Sequence, residues 1–356
     1  MQNNRYERQT RLKEFGPEAQ EKLSNARVLV VGAGGLGIPI LLYLNAMGVG
    51  TLGIIENDTV EITNLQRQVL YTEKDLGRSK LEVVTERLQA QNSQTSLKLF
   101  DTFLTRDNAL EIFAQFDVVV DGSDNFPTRY LINDACVLLK KPFVSGAIQG
   151  FEGQLSVFNY NGGPTYRCLF PSIPSPEDIP NCNENGVLGV VPGIIGNLQA
   201  LEAVKVITGV GRPLSGTLLL FDGLQNRYQK INFALQPENL NIKTLQSSYG
   251  GQYCDLGTTK SVEELQQLLD KEVNIQLIDV RTEAEFEAFR LSEALNIPLD
   301  ELELRVAEID FKKPIYLICQ SGIRSEKALL RLQELHKEAI LYHVVGGVNK
   351  FLSSCQ

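Results

Sequence analysis

Short apolar runs rich in valine, isoleucine and leucine recur along the first part of the chain. Each is followed by a stretch whose apolar positions fall at helical spacing. Leu12, Phe15, Ala19 and Leu23 predict a helix within roughly the first 30 residues. Arg27-Val28-Leu29-Val30-Val31 predicts a buried strand, Gly32-Ala33-Gly34-Gly35-Leu36-Gly37 a tight loop, and the residues up to Met47 a helix ended by Gly48 and Gly50. A second strand, Thr51-Leu52-Gly53-Ile54-Ile55, finishes at Glu56-Asn57-Asp58 and completes a strand–helix–strand unit. The alternation continues with helices at 80–91, 108–114 and 127–139 and strands at 96–100, 117–121 and 143–145. Apolar strands between amphipathic helices predict a parallel sheet covered on both faces.

From 151 to 233 the pattern changes. Strands are expected at 153–158 and 216–221, with a proline-rich loop at 164–180 and a long apolar helix at 191–207 between them. A third region follows Tyr249-Gly250-Gly251. A polar linker runs to residue 260, and Ser261-Val262-Glu263-Glu264 reads as a capped helix start. Strands at 276–280, 314–319 and 340–345 and a helix at 325–335 make a small α/β domain of about 100 residues. The expected division is a first domain over 1–250, a linker at 251–257 and a second domain over 258–356, all of α/β class. No internal repeat is evident.

The chain has 356 residues, 43% hydrophobic and 22% charged, an ordinary globular mix for two or three domains. Its net charge of −9 argues against a general nucleic-acid binder. No uninterrupted apolar stretch of about 18 residues is apparent, so no membrane span is expected. The polar start, Met1 to Phe15, lacks a signal-peptide core and leads to the expectation of a cytoplasmic protein. There are only two histidines, His336 and His343, expected on a helix surface and in a strand and given no role. Residues 1–335 therefore hold no histidine base or ligand. Six dispersed cysteines (136, 168, 182, 254, 319 and 355) read as thiols, some of them catalytic, not as a disulfide frame.

Gly32-x-Gly34-x-x-Gly37 between a strand and a helix suits a pyrophosphate, because glycines allow close backbone approach and the helix start supplies N–H donors. Glu56 stands about 20 residues on, where an acid can hold ribose hydroxyls. The loop by itself suggests NAD first, in a Rossmann-like, mostly parallel sheet. The residues that follow favour a triphosphate. Asn64, Arg67 and Gln68 lie in a dense polar run, Lys80 opens a helix, and Asp121-Gly122-Ser123-Asp124-Asn125 ends a strand. Arginine and lysine answer phosphate charge and aspartate answers Mg²⁺.

The runs Arg5-Tyr6-Glu7-Arg8-Gln9, Gly32 to Gly37, Thr59 to Gln68, Gly77-Arg78-Ser79-Lys80 and Asp121 to Asn125 together closely resemble the ThiF/MoeB/HesA adenylyltransferases, bacterial relatives of ubiquitin-activating enzymes. The resemblance spans about residues 5–235. It implies MgATP-dependent adenylation of the C-terminal glycine of a ubiquitin-like sulfur carrier protein ending in Gly-Gly. It also implies site roles. Gly34, Gly35 and Gly37 would line the nucleotide. Glu56, where the family often has aspartate, would hold the ribose with a longer arm. Asn64, Arg67 and Gln68 would contact phosphates or adenosine, Lys80 the β and γ phosphates, and Asp124 would position Mg²⁺. Arg8 resembles an arginine that reaches into the neighbouring subunit's ATP site, which implies a homodimer. The chemistry needs no histidine, since a carboxylate is already nucleophilic at neutral pH and attack at the α-phosphate needs alignment and charge neutralisation.

Cys182, in Pro180-Asn181-Cys182-Asn183-Glu184-Asn185-Gly186-Val187-Leu188-Gly189, resembles a family loop cysteine before a helix entry. It reads as a covalent acyl link to the carrier, a persulfide relay or an inert loop thiol. Many relatives bind structural zinc through two Cys-x-x-Cys pairs. Here Thr165-Tyr166-Arg167-Cys168 lacks the leading cysteine and 241–255 offers only Cys254, so no zinc is expected. Whether Cys168 and Cys254 lie close in space stays open. Cys136, inside an apolar helix, is expected in the core, and Cys355 has no role. Cys319-Gln320-Ser321-Gly322-Ile323-Arg324-Ser325, directly after a strand, forms a loop whose N–H groups, with Arg324, would favour a thiolate and hold a persulfide. It closely resembles the rhodanese active-site loop. Asp279-Val280-Arg281 and Val345-Gly346-Gly347-Val348 resemble two further rhodanese landmarks, whereas Phe289 to Ala294 departs from the family's His-Ile-Pro-Gly-Ala run.

Together the resemblances imply carrier adenylation in the first domain and sulfur transfer from a Cys319 persulfide, charged by a donor such as a cysteine desulfurase. The product would be a carrier thiocarboxylate. Similar fused layouts serve molybdopterin, thiamine or tRNA thiolation, and the first-domain motifs lean towards the first two. Rival readings are adenylation with the second domain serving only for docking, a nucleotide-sensing dimer that binds partners through its proline-rich loop, and an NAD oxidoreductase.

Overall fold

The computed structural model describes residues 4–174, 186–246, 249, 259–271, 273–292, 294–320, 322–336 and 339–354. The chain divides between Gly251 and Gln252 into two compact units.

In the first unit α1 (Glu7–Thr10) and α2 (Gly16–Asn25) lead into β1 (Arg27–Val31), α3 (Gly37–Ala46), β2 (Thr51–Ile55), α4 (Lys80–Gln91) and β3 (Ser96–Phe100). Then come α5 (Ala109–Ala114), β4 (Val118–Asp121), α6 (Phe126–Leu138), β5 (Phe143–Gln149), β6 (Glu152–Phe158), α7 (Tyr166–Leu169), α8 (Val190–Thr208), β7 (Thr217–Asp222) and β8 (Arg227–Asn232). The strands form one sheet in the order β3-β2-β1-β4-β5-β6-β7-β8. Strands β1 to β5 are parallel, with Val30 level with Ile54 on one side and Val120 on the other. From β5 onward the pairing is antiparallel. The chain builds β2 and β3 on one side of β1 and then crosses to place β4 on the other. A ligand crevice is expected where the order reverses, at the carboxyl ends of β1 and β4.

Three sequence expectations change. The N-terminal helix is broken after Thr10, because Gly16 takes a left-handed φ of +63° and Pro17 restarts the helix as α2. The covered parallel sheet holds for β1, β2 and β4, whereas β3 at the edge exposes Ser96, Lys98 and Leu99. Strand β8 was not foreseen, since all six of its residues are exposed and Arg-Tyr-Gln-Lys-Ile-Asn carries little apolar signal.

Helix α8 has 19 residues and is apolar and long enough to cross a membrane. Its position and length match the long apolar helix expected at 191–207, and Gln199, Glu202 and Lys205 interrupt the apolar run. Here it is a core helix. Val191, Ile195 and Ala203 are buried with α3 and β5 residues in the main cluster, and the Glu202 carboxylate accepts the Leu214 N–H at 2.8 Å.

The second unit contains β9 (Thr259–Lys260), α9 (Val262–Asp270), β10 (Gln276–Asp279), α10 (Glu283–Ala288), β11 (Leu295–Asn296), β12 (Ile315–Ile318), α11 (Ile323–Leu335), β13 (Leu341–Val344) and α12 (Gly347–Ser354). Its parallel sheet has the order β11-β10-β12-β13-β9. Ser261 caps α9 in a reciprocal box with Glu264, as its spacing predicts. Strand β9 opens the expected second domain, at the end of the polar stretch that runs to residue 260. The central β12 is buried along its length and delivers Cys319 to the carboxyl edge of the sheet. His336 is exposed and stacks on Phe311 with centroids 3.7 Å apart, while His343 is buried in β13.

Candidate functional site

The crevice beside β1 is built backbone to backbone. Gly32 has φ +90°, and a Cβ on Gly37 would lie 1.9 Å from the Gly32 carbonyl, so only glycine lets α3 start so close to the strand end. No side chain caps α3 at Leu36. The N–H groups and positive dipole at its start therefore meet no competing side chain there.

Glu56 braces this loop. Its Oε2 accepts the Ala33 N–H at 2.8 Å, and its Oε1 accepts the N–H groups of Asn57 and Asp58 at 2.8 and 2.9 Å. Three donors leave the carboxylate about one acceptor site for a ribose hydroxyl. Arg67 and Gln68 flank the loop. A Cβ on Gly35 would sit 3.5 Å from Arg67 Cγ, and one on Gly34 3.6 Å from Gln68 Nε2. Gln68 is buried, and its Oε1 has no hydrogen-bond partner among the described residues. An orphaned acceptor at this position fits a ligand donor. Asn64 is committed locally, with its Oδ1 accepting the Glu61 N–H in a capping box. Lys80, 5% exposed at the first position of α4, puts its Nζ 3.2 Å from Asp58 Oδ2. A cation at a helix N-terminus opposes the dipole, so phosphate oxygens would answer both charges.

Asp124 follows β4 and is exposed, with Asn125 Nδ2 at 3.4 Å. Among the described residues no cluster of three or more histidine, cysteine, aspartate or glutamate side chains forms a metal cage. One carboxylate beside a triphosphate still suits Mg²⁺, which binds through one or two carboxylates plus substrate phosphates. Gly34, Gly35, Gly37, Glu56, Arg67, Gln68, Lys80 and Asp124 thus gather on the loops that leave the carboxyl ends of β1, β2 and β4. Arg8 does not join them. Its neighbour Gln9 donates to the Met47 carbonyl at 3.0 Å, and Tyr6 packs under Gly48, at the opposite edge of the sheet.

Sequence reasoning missed several supports of the crevice. Tyr71, buried, donates its hydroxyl to the Ala33 carbonyl at 2.9 Å, and burial raises its pKa. Asp121, Arg129, Ser145 and Gln199 form a buried polar group under Asp124. Asp121 and Arg129 stand inside or beside a recognised motif, but Gln199 comes from a helix 78 positions away and only folding shows the contact.

Cys136 lies in the core, where burial pushes its thiol well up. Cys182 and Cys254 lie outside the described residues. Cys168 is buried amid hydrogen-bond partners: Thr165 Oγ1 at 3.4 Å, the Gln236 N–H at 3.3 Å and Asn239 Nδ2 at 3.5 Å. Burial raises its pKa, but these bonds outweigh that and the net shift is downward. A hydroxyl, an amide and a main-chain N–H around one sulfur do not fit a zinc ion, which takes thiolate or imidazole ligands.

In the second unit Cys319 is fully buried, and its Sγ receives the Gly322 N–H at 3.1 Å. Ser325 Oγ lies 3.7 Å from the same sulfur and donates to the Gly322 carbonyl. The start of α12 docks on this loop. The Val348 N–H donates to the Cys319 carbonyl at 2.9 Å, and a Cβ on Gly347 would sit 2.1 Å from that oxygen. Asp279 grips the buried Arg281, whose Nη1 reaches Gln320 Oε1 at 3.1 Å and whose Nη2 reaches the Phe289 carbonyl at 2.6 Å. That last bond ties the unusual 289–294 segment to the loop. Arg324, expected to serve the sulfur, is held in a bidentate pair by Glu285.

Comparison with known proteins agrees with this geometry. Residues 6–242 match the ThiF family and 261–354 the rhodanese-like domain. Adenylyltransferase and sulfurtransferase MOCS3 of Aedes aegypti is 42% identical, covering 97% of this chain and 85% of its own. The sulfur carrier protein adenylyltransferase of Thermus thermophilus is 52% identical, covering 66% of this chain and 88% of its own. The crystal structure of E. coli MccB with MccA-N7isoASN shares the fold, with a TM-score of 0.60 at 23% identity over 70% of this chain and 75% of that one. The chain belongs to the ThiF family and carries a rhodanese-like domain after the ThiF region.

Proposed function

We propose that this enzyme adenylates the C-terminal glycine of a ubiquitin-like sulfur carrier and then converts it to a thiocarboxylate. The observation that carries this is the pairing, in one chain, of a phosphate-suited crevice with a buried thiol under the Gly322 N–H. The carrier carboxylate attacks the α-phosphorus of ATP, and pyrophosphate leaves. Lys80 and the start of α3 neutralise phosphate charge, and Glu56 holds the ribose. Asp124 would hold Mg²⁺, which when bound would supply further charge neutralisation on the phosphates. The terminal sulfur of a Cys319 persulfide, charged by an external donor such as a cysteine desulfurase, attacks the acyl carbon, and AMP leaves. A second thiol then attacks the Cys319 sulfur of the resulting acyl disulfide, forms a new disulfide with it and releases the thiocarboxylate.

Two chains act together in this reading. Arg8 sits at the sheet edge opposite its own crevice, which supports a role in a partner subunit. The test is ATP–pyrophosphate exchange with candidate Gly-Gly carriers, alongside mass measurement of the carrier. Carrier-dependent exchange, lost in Asp124→Ala, is expected. Cys319→Ser is expected to keep exchange and lose thiocarboxylate. Thiocarboxylate formed normally by Cys319→Ser would leave the second domain a docking module.

A further inference from the structure

Both neighbours of Asp124 are locked in place. Ser123 gives its N–H and its hydroxyl to Asp121 Oδ1, at 3.0 and 2.6 Å, and its carbonyl accepts Arg129 Nη2 at 3.2 Å. Asn125 caps α6 through its Oδ1, which accepts the Thr128 N–H at 2.9 Å. The strand end below is anchored as well. Asp121 Oδ2 accepts the Ser145 hydroxyl at 3.0 Å, the Asp121 carbonyl accepts Gln199 Nε2 at 2.6 Å, and the Gly122 N–H reaches the Val31 carbonyl at 2.9 Å.

Arg129 is the member of this group whose burial needs a reason. It is 7% exposed, its Nε lies 3.9 Å from Asp121 Oδ2, and that Nε makes no hydrogen bond among the described residues. Its guanidinium carbon stands 5.6 Å from the centre of the Phe126 ring. Burying a cation costs free energy, and methylenes of similar volume would pack more cheaply. What the arginine adds is geometry: a rigid planar fork that bonds the Ser123 carbonyl while keeping its charge beside the Asp121 carboxylate.

We propose that Arg129 is a positioning residue for Asp124: by gripping the Ser123 carbonyl over Asp121, it sets where the Asp124 carboxylate meets the metal–nucleotide complex. The inference rests on the reading of Asp124 as the metal-positioning carboxylate. Arg129 is buried under the turn and acts through the 121–125 backbone.

The test is calorimetric binding of α,β-methylene ATP to the full chain, with Mg²⁺ and with EDTA, in wild type, Arg129→Gln, Arg129→Lys and Asp124→Ala. Thermal melts without nucleotide show which variants are folded. Arg129→Gln is expected to weaken binding about tenfold or more with Mg²⁺, as loss of a supporting partner does at metal sites, and to leave binding in EDTA unchanged. Arg129→Lys, which keeps the charge but not the fork, is expected to fall between and serves if the glutamine variant does not fold. Equal losses with and without Mg²⁺, or no loss in either, would overturn the positioning role. If Mg²⁺-dependent binding is lost in Asp124→Ala but intact in both Arg129 variants, only this inference fails. If Asp124→Ala keeps it, the reading of Asp124 fails and takes this inference with it.

Discussion

Glu285 and Arg324 face each other through two parallel charge-assisted hydrogen bonds, of 2.6 and 2.7 Å. Arg324, at the start of α11 after Cys319, is therefore shared with a carboxylate on α10, and the main-chain donor at Gly322 stays the direct contact to Cys319. The Arg324 hydrogen bonds hold the Glu285 carboxyl down at about 2, against a usual 4.5. A carboxylate depressed in the fold contributes stability that is present above its unfolded value and lost as pH falls through its folded value. The stability gap between wild type and Glu285→Gln is expected to be constant above about pH 4.5 and to close towards pH 2. Urea melts across that range measure it, and a gap that grows on acidification would refute the pairing as a source of stability.

Lys80 is buried with Asp58 as its anion. Lys80→Ala is expected to reduce carrier-dependent pyrophosphate exchange by roughly 100- to 1,000-fold, the scale of losing one preorganised charge-stabilising donor. Asp58→Asn leaves the cation in place and is expected to keep most of the activity. Comparable losses in both variants would mean that the pair matters for structure and not for phosphate charge.

Glu56→Ala would strand three main-chain N–H groups, those of Ala33, Asn57 and Asp58. Unmet buried donors cost about 1–3 kcal/mol each where water cannot replace the partner. The expected result is a lower melting temperature without nucleotide and a further loss of the stabilisation that ATP provides. A variant that melts like wild type in the absence of ATP would show that the carboxylate serves the ribose alone.

Cys168→Ala removes the sulfur that Thr165, Gln236 and Asn239 converge on. The 236–239 turn is expected to loosen, seen as faster amide exchange there and a lower melting temperature. Prolonged treatment with a zinc chelator is expected to leave the wild-type melt unchanged. A chelator-induced drop would mean that a metal binds this sulfur after all.

Much of the crevice could be read along the chain because its parts are local. The Gly32-to-Gly37 loop, Glu56 after β2 and Asp124 after β4 each follow an apolar strand within a few residues, and strand ends in a parallel sheet converge. The Gly346-Gly347 landmark was visible too, but not its reason, which is that α12 must close on the Cys319 carbonyl. Strand β8 and the brief β11 carried almost no periodic signal. Their place comes from hydrogen bonds to β7 and β10, not from an apolar face.

By itself the sequence determined the α/β alternation, the two-part organisation and which residues are candidates for the chemistry. Period and turn chemistry act over a few residues and survive without a partner. Only the tertiary structure decided how those residues are committed: Glu56 to the glycine loop, Arg324 to Glu285, Arg8 to the far edge, Arg129 and Gln199 beneath Asp124. Glu56, Arg324 and Gln199 meet partners 23 or more positions away in the chain, and Arg129 folds back on a turn a few residues before it. Burial forces polar groups there to find partners, and folding alone chooses which partners are within reach.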